Sequence, residues 1–99
     1  MIEIIVLLEI KDPVSFKTFE ERAIKIMKRY QGQLLSAFDV DEAMTSIANI
    51  GEVHILRFPD RQAFENYRAD PDLENMSELR DRAILNTRII VSDKFQDYE

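Results

Sequence analysis

Two stretches decide the fold: LLEIKDPVSFKTF at Leu7–Phe19 and ILRFPDRQAFENY at Ile55–Tyr67. Laid over each other at an offset of 48 residues, Leu8 meets Leu56, Asp12 meets Asp60, Phe16 meets Phe64 and Phe19 meets Tyr67. Each stretch leaves an apolar run through an Asp–Pro or Pro–Asp pair and enters a segment with aromatic residues three apart. An Asp at that position accepts hydrogen bonds from the free N–H groups of a helix start, and Pro fits the first turn, where no donor is needed. The chain therefore uses one strand–helix unit twice.

The rest of the chain can be placed outward from these units. In residues 2–10 the set Ile2, Ile4, Val6, Leu8 and Ile10 is wholly apolar, and the set Glu3, Ile5, Leu7 and Glu9 is mixed, the alternation of a strand with one face buried. Asp12-Pro13 starts a helix whose stripe is Phe16, Phe19, Ala23, Met27 and Tyr30, with Lys17, Glu21 and Lys25 outside. Gly32 is expected to supply a left-handed helix end. Gln33 to about Val40 reads as a second strand, Asp41–Gly51 as a loop and Glu52–Phe58 as a third strand. Asp60 caps a helix carrying Phe64 and Tyr67, and Asp70-Pro71 restarts it after a break at Ala69–Pro71. Leu73, Met76, Leu79, Ala83 and Ile84 form the inner stripe of the second piece, Thr87–Ser92 is the last strand, and KFQDYE is a tail.

The order βαββαβ predicts an α+β, ferredoxin-like domain spanning 1–99. Its four-stranded sheet is antiparallel or mixed, strands 1 and 3 are expected to be central and parallel, and both helices cover one face. The other face carries Ile5, Leu7 and Glu9 on strand 1 and Val53, Ile55 and Arg57 on strand 3. It is too apolar for water, so a second copy of the chain is expected to cover it, with Glu9 and Arg57 paired at the rim.

Composition narrows the function classes. Hydrophobic residues make up 45% and charged residues 32%, as in a globular protein, and the formal net charge is −6. Such a surface repels phosphate backbones and anionic membranes, so neither nucleic acid nor a membrane is an expected partner. The lack of cysteine excludes disulfides, thiolate metal sites and cysteine nucleophiles. The N-terminal MIEIIVLLEI has an acid at position 3 and five consecutive apolar residues before Glu9, too few for a signal or a membrane span, and a cytoplasmic protein is expected.

Candidate site residues come from the buried face. His54 is the only histidine, and the repeat places it over Val6 and Glu52 over Ile4, both facing the helices. At 100° per residue Arg80 falls among Leu73, Met76, Ala83 and Ile84 and is expected to point inward. An inward guanidinium needs an acceptor, and Glu52 and His54 are the candidates, with Tyr67 on the same side. The cluster of Glu52, His54 and Arg80 is either a self-satisfied buried network or a small pocket. In the pocket reading Arg80 anchors an oxyanion or carboxylate, His54 moves a proton and Tyr67 positions the ligand. There is no nucleophile elbow, dinucleotide fingerprint or phosphate loop, Asp39, Asp41 and Glu42 lack a calcium-loop pattern, and no cofactor or metal is expected.

The segments EIKDPVSFKTF, QGQLLSA, HILRFPDRQAFENYRADPDL and LRDRAI resemble the domain of unknown function 1330 family, in the dimeric α+β barrel superfamily. Arg57, Asp60 and Leu73 stand where that family often has Glu, Ser and Tyr, which marks a subgroup. The resemblance implies a homodimer whose two sheets pack into a barrel with helices outside. It implies no settled activity, although relatives in the superfamily include cofactor-free monooxygenases, small isomerases and haem-degrading enzymes, several with ligands between helix and sheet. Three readings stay open: a metal-free enzyme on a small aromatic or carbonyl metabolite, a ligand-binding dimer without catalysis, and a purely structural homodimer.

Overall fold

The computed structural model describes residues 1–99. Strand β1 spans Ile2–Ile10, β2 Gln33–Asp39, β3 Glu52–Phe58 and β4 Ile84–Ser92. Helix α1 spans Pro13–Lys28, α2 Arg61–Arg68, α3 Pro71–Glu74 and α4 Ser77–Ala83. They form one four-stranded sheet in the order β2-β3-β1-β4, with the helices on one face. No helix is long and apolar enough to cross a membrane.

The three Asp residues act as the sequence pattern expects. Asp12 accepts from the Val14 N–H at 3.2 Å, Asp60 from Ala63 at 2.8 Å and Asp70 from Asp72 at 2.7 Å. Each thereby satisfies a donor that its helix start would otherwise leave free.

Every strand pairing is antiparallel, which corrects the expectation of parallel central strands. The βαβ passage returns β2 in the direction of β1, and the β2–β3 connection reverses the chain again. It is β3, not β2, that lies beside β1. The same geometry corrects the expected Glu9–Arg57 pair. Equivalent positions of antiparallel strands lie at opposite ends, so Arg57 pairs with Glu3, its Nη2 donating to Glu3 Oε2 at 3.0 Å, while Glu9 accepts from Asn86.

The helix-covered face holds two apolar clusters. One joins Ile2, Ile4, Met27, Leu56, Phe58 and Phe64; the other joins Leu8, Phe16, Phe19, Ala23, Ala83 and Ile84. Phe58 is wholly buried against the rings of Phe64 and Tyr67, at centroid distances of 5.3 and 5.5 Å. Gly32 serves by its lack of a side chain rather than by its φ: a Cβ there would lie 2.4 Å from Met27 Cγ and 2.6 Å from Phe58 Cε1. The left-handed residue is Gln31, at φ 61°.

The second helical segment is broken twice. The break before Pro71 follows the sequence, and a further one separates α3 from α4 at Asn75–Met76. At the first break, Asp70 is almost fully buried. The Tyr30 hydroxyl donates to its carboxylate at 2.5 Å, and Arg29 Nη1 lies 3.3 Å from it and 2.7 Å from Asp72. Tyr30 first, with Arg29 adding to it, holds the Asp70 carboxyl below its ordinary range. This network ties the end of α1 to the start of α3. Ile84 begins β4, three residues earlier than the sequence pattern suggested.

Candidate functional site between sheet and helices

Position 54 follows from strand geometry. Val6 and His54 are direct partners across β1 and β3, so the ring projects to the side that Val6 faces, toward the helices. It is 5% exposed and lies 6.1 Å from the Phe16 ring. Glu52, two residues earlier on the same strand, shares that face, and His54 Nε2 donates to its Oε2 at 2.5 Å. Nδ1 turns the other way, to Glu20 Oε2 of α1 at 3.4 Å. The imidazole thus bridges two carboxylates, one from its own strand and one from the helix above.

Glu20 is the residue that reading the sequence overlooked. A signal was present: Glu20 lies four residues after Phe16 and three before Ala23, inside the apolar stripe of α1. Burial raises its carboxyl above the ordinary value, His54 partly opposes the rise, and Glu52 adds to it. Glu20 Oε2 and His54 Nδ1 therefore stand side by side, a carboxyl facing a ring nitrogen. Because Glu20 and Glu52 occupy opposite ring nitrogens, they do not converge with His54 on one point, and no metal-holding group of His, Cys, Asp or Glu forms.

Beside this cluster lies a cavity of about 420 Å³. Val6, Leu8, Phe19, Leu56 and Phe64 supply apolar lining, and Glu20, His54 and Tyr67 supply polar groups. Glu52 does not line it and holds His54 from behind. Tyr67 comes from α2, half-buried, with no side-chain hydrogen bond of its own. Burial, reinforced by Glu20, pushes its phenol well above the usual range, so it presents a neutral hydroxyl.

Arg80 stands otherwise than expected. It is exposed, at the cavity mouth, and its Nη2 donates to Thr87 at 3.2 Å; it forms no ion pair with Glu52 or His54. Helical phase carried across Met76 misplaced it, because α4 is a separate helix that begins only at Ser77. The acid that joins Glu52 and His54 is Glu20, not the guanidinium of Arg80.

A ferredoxin-like sheet with an imidazole held between two carboxyl groups under its helices defines the class: a small α+β protein with a cavity between layers. The chain belongs to the family described as Domain of unknown function (DUF1330), which matches residues 4–94. No curated protein matches its sequence significantly. Solved structures similar to it include a protein of unknown function from Rhodopseudomonas palustris, at 15% identity and TM-score 0.81, covering 97% of this chain and 83% of that one. The chain is also similar to SnoaB, a cofactor-independent oxygenase from Streptomyces nogalater, at 14% identity and TM-score 0.71, covering 98% and 95%. A third, from Bacteroides fragilis, is a dimeric protein of unknown function with a ferredoxin-like fold, at 11% identity and TM-score 0.65, covering 92% and 93%. At these identities the likeness is one of fold.

Proposed function

We propose that this chain is a homodimeric, cofactor-independent enzyme, isomerase- or monooxygenase-like, that moves a proton on a small aromatic or carbonyl metabolite. The carrying observation is His54, held by Glu52 from behind and facing Glu20 at the edge of an apolar cavity. His54 takes a proton from an acidic carbon or hydroxyl of the bound compound, Glu20 shares or returns it, and Tyr67 donates to the oxygen where charge develops. Arg80, at the mouth, anchors an oxygen of the ligand. A volume of about 420 Å³ suits a compound of one or two rings. The oxygenase from Streptomyces nogalater supports this class by fold likeness.

The dimer is drawn through the open face of the sheet. Ile5, Leu7, Val53 and Ile55 lie half-exposed there, with Phe38 48% and Ile90 55% exposed at its sides, an apolar surface suited to a second sheet. The dimeric protein from Bacteroides fragilis supports the same assembly.

A second reading, a ligand-binding homodimer without catalysis, has one observation in its favour: both nitrogens of His54 already face carboxylates. Deuterium exchange separates the two. The protein is incubated in D₂O with cyclic ketones and phenols, and exchange at the acidic position is followed by mass spectrometry. Catalysed exchange is expected, with His54→Ala losing on the order of 10²-fold or more while native mass spectrometry still finds the dimer. A folded His54→Ala that exchanges at the full rate removes His54 from the mechanism. No exchange by the parent protein leaves the binding reading in its place.

A further inference from the structure

We infer that the compound taken by this cavity is an amphipathic carboxylate, its apolar body inside and its charge at the mouth between Arg68 and Arg80. The inference deepens the proposed function and rests on that reading of the cavity.

Burial separates the lining into a floor and a rim. Leu8, Phe19, His54, Leu56 and Phe64 are buried; Arg68, Glu74, Ser77 and Arg80 are exposed. Arg68 and Arg80 are the only cations in the lining. In a chain with 19 acidic and 13 basic residues, two guanidiniums among the exposed lining of one cavity are not what the average surface would place there.

Neutral groups position both. Arg80 donates to the Thr87 hydroxyl, and Arg68 stacks over the Phe64 ring at 5.3 Å. Arg80 has no carboxylate partner, and Arg68 has only Glu65, one turn back on an exposed helix, at 3.9 Å. Most of their N–H donors remain open to a ligand, and guanidinium favours a planar carboxylate. Glu74 is the single carboxylate at the rim, so the mouth keeps an excess of one positive charge. Glu20, the other carboxyl of the lining, lies deeper, beside His54. The arrangement fixes the orientation: carboxylate outward, and the reacting carbon or hydroxyl at the other end, facing His54.

The test uses matched probes: 2-naphthoate, cinnamate and 3-phenylpropanoate, each against its uncharged primary amide. Affinity is read by titration in low salt, with amide shifts at Phe19, Glu20, His54 and Tyr67 locating the probe. Carboxylates are expected to bind about tenfold more tightly than their amides. The double variant Arg68→Gln/Arg80→Gln, altered only at exposed positions, is expected to bring the two within about twofold by losing the same interaction. Equal binding of acid and amide by the parent protein overturns the charge assignment and leaves the cavity as a ligand site. A carboxylate preference that survives in the double variant overturns it too. Binding by neither probe in any pair removes the cavity as a site for compounds of this size, and with it the proposed function.

Discussion

The two strand–helix halves begin alike and end differently. In the first, Asp12 caps α1, which runs unbroken for 16 residues and lays Phe16, Phe19, Ala23, Ile26 and Met27 on the sheet. In the second, Asp60 caps α2 in the same way, but the helix stops at Arg68 and resumes as two short pieces. At the end of the first helix the packing is tight enough that Gly32 has no room for a Cβ. The cavity lies between the halves, with Val6, Leu8, Phe19 and Glu20 from the first and Tyr67, Leu73, Ser77 and Arg80 from the interrupted segment of the second. A repeated unit makes a layer that covers the sheet, and the cavity lies where the repetition fails. Asp70 and Tyr30 hold the interruption in position by joining the end of α1 to the start of α3.

This contrast can be broken first at its joint. Phe58 is fully buried between Gly32 of the first half and Phe64 and Tyr67 of the second. Phe58→Ala is expected to cost about 3–5 kcal/mol in chemical denaturation. A loss below about 1 kcal/mol would show that the halves do not share this core.

A paired enlargement comes next. Gly32→Ala forces a methyl group into Met27 and Phe58 and should destabilise by about 1–3 kcal/mol. Leu73→Phe adds volume beside the cavity and should change stability by less than about 1 kcal/mol, while weakening binding of 2-naphthoate. Equal costs at the two positions would abolish the distinction between tight packing at Gly32 and open space at Leu73.

The smallest effect is one of pH. Glu20 holds its proton more tightly folded than unfolded, so its contribution to stability is fully present below its ordinary value of 4.5 and is lost as pH rises through the elevated folded value. Asp70 runs the opposite way: its contribution is present above 3.8 and is lost as pH falls through its lowered folded value. Glu20→Gln removes the buried carboxylate. Its melting temperature near neutral pH is expected to exceed that of the parent by a few degrees, a gap that closes below pH 4.5. A constant gap across that range would mean that Glu20 keeps its ordinary titration in the folded protein.

Legibility followed range. Asp12, Asp60 and Asp70 could be read as caps because a cap acts within three residues, and β3 came out at its observed bounds because alternation is local. The helix-side placement of His54 and Glu52 was legible for the same reason. Arg80 was misread because helical phase was carried through Asn75–Met76, where no proline marks the break. The Glu9–Arg57 pair failed because its partners depend on strand direction, which no short segment encodes.

By itself the sequence determined the element order, the repeated strand–helix unit, the buried face of the sheet and the presence of His54 on it. These are consequences of side-chain periodicity and local hydrogen bonding, which neighbouring residues settle among themselves. Only the tertiary structure decided that Glu20 faces His54, that Glu3 rather than Glu9 meets Arg57, and that a cavity opens under the broken helices. Each of those depends on how far apart two packed layers stand and how one is turned against the other, a quantity set by all the side chains between them at once.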